Sequence, residues 1–168
     1  KSPWPVSDDT LVYRIVLSAP GQNLDPSEPT HWRASVAPGG TPGSSDGTLL
    51  AGNPSDDLDG DGLNALLEHA LGTSDNDATQ SGSASASRMI IDGILYDSFT
   101  YTVKEVADDV RTSVETTTDL QNWSNDLADF VELVVTSNGD GTVTRTVRLA
   151  TPAGVGSRRF FRVKAELR

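Results

Sequence analysis

The chain has 168 residues, no cysteine and a formal net charge of −11, and 36% of its residues are hydrophobic. This length suits one domain or two small ones, and the apolar fraction is sufficient for a packed core. The absence of cysteine excludes disulfides, zinc–thiolate sites and thiol nucleophiles. No apolar run approaches the roughly 20 residues of a membrane span, and no basic stripe is available to contact nucleic-acid phosphates.

The negative charge is concentrated in the middle of the chain. Residues 1–45 hold 3 basic and 4 acidic groups, residues 46–80 hold 0 and 8, and residues 81–168 hold 10 and 12. The middle segment therefore carries −8 of the net −11. These three segments are also the regions into which we divide the chain.

Residues 1–45 are predicted to be a β segment. The run 11–17 is apolar on both faces except at Arg14, which predicts a strand that is covered on both sides. The glycine- and proline-rich run 37–43 ends the segment. A chain that opens at Lys1 is also expected to be a truncated or processed product.

This N-terminal segment resembles a known family. A strand, an acidic loop with prolines, Trp32-Arg33-Ala34-Ser35 and Gly39-Gly40-Thr41-Pro42-Gly43 resemble the closing segment of a bacterial lamin-tail-type domain. That family is an immunoglobulin-like β-sandwich of large secreted and surface proteins. The resemblance covers only its C-terminal part, which implies that a longer parent protein or a second chain supplies the other strands. The alternative is a β-rich extension that packs on the following domain.

Residues 57–68 match the calcium-loop pattern D-x-[DN]-x-[DN]-G-x5-E at every fixed position. Alternate side chains of such a loop point inward, and Gly62 permits the sharp turn. Ala65 offers no side-chain oxygen at its position, so a water is expected there. The predicted Ca²⁺ ligands are the side chains of Asp57, Asp59, Asp61 and Glu68 and the carbonyl of Leu63. The alternative is an acidic, solvated turn that starts a helix.

A short amphipathic helix is predicted directly after the loop. Its apolar positions repeat at helical spacing, and Gly72 is placed to end it in a left-handed cap. These positions are Leu63, Leu66, Leu67, Ala70 and Leu71. A helix of this length is marginal alone in water, so it requires a neighbouring domain along its apolar face.

Residues 53–77 resemble the calcium-binding linkers of secreted bacterial proteins, which are similar to thrombospondin type 3 and dockerin repeats. The preceding residues 51–55 are turn-forming, so the loop lacks the entering helix of an EF-hand. A dockerin needs two repeats to bind a cohesin, and one is present. Asp75 and Asp77 are candidates for a second, partial cation site, with an exposed polar turn as the alternative. The small residues 80–87 are predicted to form a linker.

From Arg88 onward the pattern is all-β, with alternating apolar and polar residues in several runs. Residues 138–141, with the sequence Asn-Gly-Asp-Gly, predict a tight hairpin between strands 130–136 and 142–149. The last strand is expected to turn Phe161, Val163, Ala165 and Leu167 inward. The predicted fold is mainly β: an immunoglobulin or fibronectin III-like β-sandwich over residues 81–168, with one short helix after the calcium loop.

The sandwich also resembles C-terminal modules of secreted proteins from environmental bacteria. The resemblance rests on the run from Val114 through Thr118-Asp119-Leu120-Gln121-Asn122-Trp123 and on Arg159-Phe160-Phe161-Arg162-Val163. Those modules are β-sandwiches, and the resemblance to them implies no particular activity for this chain.

Catalysis is not expected. The only histidines are His31 and His69, and the spacing proposes no partners for either in a triad. Acidic pairs such as Asp108-Asp109 are expected to be exposed turn residues. Sugar binding through exposed aromatic rings is a competing hypothesis. The alternative for each ring, which is the more common one, is that it packs against other side chains of the protein. The candidate rings are Trp4, Trp32, Trp123 and Phe160.

We therefore expect a non-catalytic, calcium-stabilised structural or interaction module of a secreted or cell-surface protein. The alternative is an accessory module that binds carbohydrate through exposed aromatics. A calcium loop of moderate affinity is saturated only at about millimolar calcium, which points outside the cytoplasm. The expected partners are the rest of a parent protein or a second chain and, in the alternative, a polysaccharide.

Overall fold

The computed structural model of the chain describes residues 13–18, 23–44, 46–156 and 158–168. This part of the chain contains eight β-strands and one α-helix. They are β1 (Ile15–Leu17), β2 (Trp32–Ala34), α1 (Ala65–Leu71), β3 (Ala84–Ile91), β4 (Ile94–Lys104), β5 (Val110–Thr117), β6 (Phe130–Ser137), β7 (Thr142–Leu149) and β8 (Phe160–Leu167). Trp4 and the first two residues of the predicted run 11–17 lie outside the described residues.

All strand pairs in the described chain are antiparallel, and they form three sheets. Strands β3, β4, β7 and β6 form a four-stranded sheet in that order, β5 pairs with β8, and β1 pairs with β2. The prediction of a mainly β fold with one helix after the acidic loop is confirmed, and the sheets are consistent with a β-sandwich. The immunoglobulin or fibronectin III subtype stays a prediction.

The core lies between the four-stranded sheet and the β5–β8 pair. Buried side chains of β4 and β7 contact partly buried side chains of β5 and β8. The ring of Phe99 stacks on that of Phe161, with centroids 5.2 Å apart. The inward positions Phe161, Val163 and Ala165 are confirmed. Leu167 is 51% exposed, contrary to the prediction, because it is the last residue of β8, opposite the start of β5.

Two predictions about the edges of the sheets are wrong. Strand β3 begins at Ala84, so half of the predicted linker 80–87 is a strand. Strand pairing requires backbone groups rather than large side chains, so the small residues 84–87 can form the first half of this edge strand, which stays exposed on most of its length. In β1, Ile15 is 49% exposed, since among the described residues the strand pairs with β2 alone and is not covered on both sides.

Helix α1 joins the acidic loop to the sandwich. The Asn64 side chain accepts a hydrogen bond from the Leu67 N–H at its start, and Gly72 ends it in the predicted left-handed conformation. Much of its predicted apolar face packs on the sandwich: Leu66 and Ala70 contact Ala107 and Val110, and Leu71 packs against the core. Leu63, predicted as the first position of that face, lies before the helix, which begins at Ala65. The helix therefore shares the hydrophobic core of the C-terminal region.

Candidate metal centre

The three loop aspartates converge. One carboxylate oxygen each of Asp57, Asp59 and Asp61 lies within 4.8 Å of those of the other two. The loop backbone orients the first of these carboxylates, because the Gly60 N–H donates to Asp57 Oδ1 at 2.8 Å and the Gly62 N–H donates to Oδ2 at 3.1 Å. The prediction that these three side chains point to one place is confirmed.

The other two aspartates are held in the same way by residues two positions further on. The Asp61 N–H donates to Asp59 Oδ1 at 3.1 Å, and the Leu63 N–H donates to Asp61 Oδ1 at 2.8 Å. Gly62 has φ of 95°, a conformation that a side chain would strain, which explains the glycine that the pattern requires there. The loop geometry thus follows directly from the residues that identify the motif.

No helix leads directly into the loop in the described chain, and a turn over residues 53–56 takes its place. The Asp56 carbonyl accepts from the Ala65 N–H at 2.7 Å, and the Pro54 carbonyl accepts from the Leu66 N–H at 3.2 Å. These bonds satisfy backbone donors at the start of α1 and close the loop on itself. The predicted absence of an EF-hand entering helix is confirmed.

Glu68, the last predicted ligand, is completely buried, with 0% of its surface exposed. Its Oε1 accepts from Thr73 Oγ1 at 3.2 Å, whereas its Oε2 has no hydrogen-bond partner among the described residues. Burial raises the pKa of Glu68, and the neighbouring carboxylates of Asp59, Asp75 and Asp61 act in the same direction, against the hydrogen bond from Thr73. A buried carboxylate among other carboxylates is costly unless a proton or a cation compensates it.

The buried oxygen of Glu68 is accompanied by a second one. Oδ2 of Asp59 is also buried and has no hydrogen-bond partner in the described chain. Buried polar atoms are nearly always partnered, so two such oxygens in one acidic loop require an explanation. Glu68 lies beside the aspartates but outside the group whose oxygens converge within 4.8 Å. The ligand role of the Leu63 carbonyl stays a prediction.

The carboxylates of Asp75 and Asp77 contact different segments, and the second cation site suggested for them stays a prediction. The Asp75 Oδ1 accepts from the Leu58 N–H, in the middle of the loop, at 3.0 Å. The carboxylate of Asp77 turns into its own loop, where Thr79 Oγ1 donates to it at 2.6 Å and Gln80 Nε2 at 2.8 Å. Asp75 therefore contacts the acidic loop, whereas Asp77 contacts residues of its own turn.

A second charged cluster, not predicted from the sequence, joins β2 to the sandwich. The Arg33 guanidinium donates to both carboxylate oxygens of Asp108, at 2.9 and 2.8 Å, and to Asp46 Oδ2 at 2.7 Å. Arg33 is only 4% exposed. Burial raises the pKa of Asp46, but hydrogen bonds from Arg33 and Thr41 outweigh it, so that the pKa lies below its usual value. We name Arg33, Asp46 and Asp108 the arginine cluster.

The residues between β4 and β5, residues 105–109, form a turn on which other segments converge. Asp108 is 7% exposed, so the prediction that Asp108-Asp109 is an exposed pair is wrong. Its neighbour Asp109 accepts from the Leu50 N–H at 2.7 Å and lies 3.2 Å from His69 Nε2. The Val106 carbonyl accepts from the Thr48 N–H at 2.8 Å. This β4–β5 turn therefore holds the segment before the loop, helix α1 and the arginine cluster.

The aromatic side chains proposed for sugar binding are partly covered. Trp32 is half-buried, and its Nε1 donates to the Pro26 carbonyl at 2.9 Å. The guanidinium of Arg162 lies 4.0 Å from the ring centre of Trp123, which is also half-buried. Phe160 lines an open groove of about 560 Å³. The other residues of that groove are Ala86, Ser87, Arg88, Asp97, Arg158, Arg159 and Phe161.

We found no match to this chain among protein-family models, curated proteins or solved structures. The resemblances given above therefore rest on the residues that were quoted for them. Within the described residues, no helix has both the length and the apolar character needed to cross a membrane.

Proposed function

We propose that this chain is a non-catalytic, calcium-stabilised structural or interaction module of a secreted or cell-surface protein. The observation that carries the proposal is the buried Oε2 of Glu68, which lacks a hydrogen-bond partner in the described chain and lies beside an acidic loop. A cation bound there would compensate the buried charge and provide the missing contact.

The donor set favours calcium over other metals. The candidate ligands are all oxygens, from four carboxylates and a backbone carbonyl, and hard divalent cations prefer such ligands. His69, the nearest histidine in the sequence, contacts Asp109. Asp57, Asp59, Asp61, Glu68 and the Leu63 carbonyl would hold the ion. Its contribution is to neutralise charge and fix the loop.

The role of such an ion is structural. Helix α1 has seven residues, which is too short to be stable alone, and it contacts β4, β5 and β8. A cation held by the loop and by Glu68 would fix the start of the helix and its middle in one arrangement. The loop and helix would then be stabilised together against the sandwich.

The N-terminal pair β1–β2 is the expected point of attachment to a partner. Two paired strands are at most marginally stable without further packing. Here the arginine cluster attaches β2 to the β4–β5 turn, while Ile15 and Val36 stay exposed. We propose that the rest of a parent protein or a second chain completes this segment, and that the module works outside the cytoplasm, where calcium is abundant.

Calorimetry tests the metal. Titration of the chelator-treated chain with Ca²⁺ should show binding of one ion, and scanning calorimetry should show a higher Tm with Ca²⁺ than with a chelator. Glu68→Gln should abolish both effects, whereas Glu132→Gln, which changes an exposed carboxylate on β6, should preserve them. A wild-type chain with the same Tm in both buffers would overturn the proposal.

Carbohydrate binding is a second candidate function, supported by the groove beside Phe160. An aromatic ring with arginines around it suits an acidic polysaccharide, because a ring can stack on a sugar while guanidinium groups bind carboxylates. Trp123 is a weaker candidate, since Arg162 covers one of its faces. Sedimentation with an insoluble uronic-acid polysaccharide tests this function, and unchanged binding by Phe160→Ala would contradict a role for the groove.

A further inference from the structure

We propose that Asp75 is an additional ligand of the cation, so that the ion also binds the turn that follows helix α1. This inference rests on the proposed function, because it assigns a further residue to the same metal site. It differs from the loop pattern, which ends at Glu68 and contains no position for Asp75.

The backbone of the loop holds Asp75 in place. The Leu58 N–H, which lies between the first two aspartates of the loop, donates to Asp75 Oδ1 at 3.0 Å. The carboxylate of Asp75 also lies beside that of Glu68. Two adjacent carboxylates repel each other unless a positive charge lies between them. A proton shared by the two carboxylates or a cation bound by both would relieve this repulsion, and the Ca²⁺ titration below distinguishes the two.

The second observation is independent of Asp75. Oε2 of the completely buried Glu68 lacks a hydrogen-bond partner in the described chain, and Oδ2 of Asp59 is in the same state. Two buried oxygens next to the loop thus need a contact, although among the described residues only the oxygens of Asp57, Asp59 and Asp61 lie within 4.8 Å of one another. The acidic cluster alone would not indicate a ligand, but these buried oxygens do.

The coordination number leaves room for Asp75. Calcium takes about 6–8 oxygen ligands. The three aspartates, the Leu63 carbonyl and a bidentate Glu68 provide about six, and Ala65 provides none at the position that often binds through a water. A carboxylate from outside the loop can occupy that place. It would add a negative charge, which increases the affinity of such a site for Ca²⁺.

The consequence is that the ion would connect three segments: the loop, the middle of α1 and the turn at residues 73–77. The chain leaves α1 at Gly72, where an added Cβ would lie 2.7 Å from Thr142 Cγ2 of β7. The turn is therefore packed closely against the sandwich just before it reaches Asp75. An ion bound by Asp75 would fix the exit from the helix as well as its start.

Asp75→Asn tests the inference, because asparagine keeps an oxygen for the Leu58 N–H and removes the charge. Asp77→Asn is the matched control, since its carboxylate is occupied by Thr79 and Gln80 of the same turn. Titration calorimetry with CaCl₂ should show that Asp75→Asn weakens Ca²⁺ affinity at least about tenfold. Asp77→Asn should bind as the wild-type chain does.

Europium luminescence adds a readout that a structural role would not change. Decay lifetimes in H₂O and D₂O give the number of waters on the bound ion, and Asp75→Ala should add at least one. A wild-type chain that binds no Ca²⁺ would overturn the proposed function. Wild-type affinity in Asp75→Asn, or an unchanged water number in Asp75→Ala, would overturn only the role of Asp75. Scanning calorimetry in chelator checks that each variant is folded, and Asp75→Asn should there be at least as stable as the wild-type chain, because it removes one of two adjacent carboxylates.

Discussion

Two polar centres, the arginine cluster and the acidic loop with Glu68, lie between the N-terminal half of the described chain and the sandwich. They differ in how their buried charge is compensated. In the arginine cluster, one guanidinium donates to two carboxylates, and all its partners belong to the chain. In the acidic loop, negative groups surround a completely buried Glu68, and no basic side chain contacts them among the described residues. The first centre is neutralised by groups of the chain itself, whereas our proposal is that a cation from the solvent completes the second.

The arginine cluster should stabilise the fold whether or not calcium is present, whereas the acidic loop should do so only when calcium is bound. A buried ion pair contributes little net stability relative to an apolar pair, but removal of one partner is very costly. A metal site stabilises the fold only as far as the metal is present above its Kd. The contact between β2 and the sandwich should therefore persist when calcium is removed, while the loop and α1 should loosen. The following predictions test this comparison, from the largest expected effect to the smallest.

The largest effect is expected from Arg33→Met. The variant leaves Asp46 and Asp108 buried without a counter-charge, which should lower the free energy of unfolding by about 3–5 kcal/mol. Urea denaturation in saturating calcium measures it. Arg145→Met, which breaks the more exposed pair with Glu132, is the control and should cost at most about 1 kcal/mol. Equal costs for the two variants would contradict the importance of burial.

Removal of calcium should have the next largest effect. At a hundredfold excess over its Kd, the ion should stabilise the chain by about 2.7 kcal/mol, and a chelator should remove this stabilisation. Urea denaturation with and without chelator measures it. If the two centres are separate, Arg33→Met should lose the same amount on chelation as the wild-type chain. A loss that depends on Arg33 would show that they are coupled.

Gly47→Ala should destabilise the arginine cluster without changing any charge. A Cβ at this position would overlap the carboxylate of Asp108, so the side chain or the backbone must move. We expect a cost of about 1–3 kcal/mol, measured by urea denaturation. In a chain that already carries Asp108→Ala, the same substitution should cost much less, because the overlapping atoms are absent. If Gly47→Ala lowered the unfolding free energy by the same amount in the Asp108→Ala chain, the overlap with the Asp108 carboxylate would not be the cause.

The smallest effect is the pH dependence of Asp46. Its folded-state pKa lies below the usual value of 3.8, so its ionised form stabilises the fold above that pH, and this stabilisation is lost as the pH falls through the folded-state pKa. The difference in unfolding free energy between the wild-type chain and Asp46→Asn should be about 1–2 kcal/mol at neutral pH. It should shrink below about pH 4, in chelator, where the loop stays metal-free. If this difference in unfolding free energy grew on acidification, the ionised form of Asp46 would not be the form that stabilises the fold.

The acidic loop and α1 are predictable from the sequence because their determinants are local. The aspartate spacing, Gly62 and the left-handed Gly72 act within a few residues of one another, and the structure has them as expected. The same holds for the β6–β7 hairpin, whose turn glycines, Gly139 and Gly141, both have positive φ. Short-range spacing is sufficient wherever the backbone conformation of a few residues decides the structure.

The arginine cluster is not predictable in this way. Arg33 and Asp108 are 75 residues apart in the sequence, and each resembles an ordinary surface charge in its own segment. Only the packing of the β1–β2 pair on the β4–β5 turn brings them together. The first half of β3 is unpredictable for a related reason, because the alternating small residues of 84–87 carry little information about backbone pairing. Asp75 lies between these cases, since it is close to the loop but outside its pattern.

The β4–β5 turn also determines where the chain can change in length. Loops at the ends of strands usually accept insertions, because they have few contacts. At this turn, Asp108 binds β2, Asp109 contacts α1, and the Asp109 carbonyl accepts from the N–H of Arg168. An inserted residue would displace all three segments at once. The two-residue turn at Asp92 and Gly93 is exposed, and the free space around Gly93 makes it the more suitable place for a fused tag or a grafted peptide.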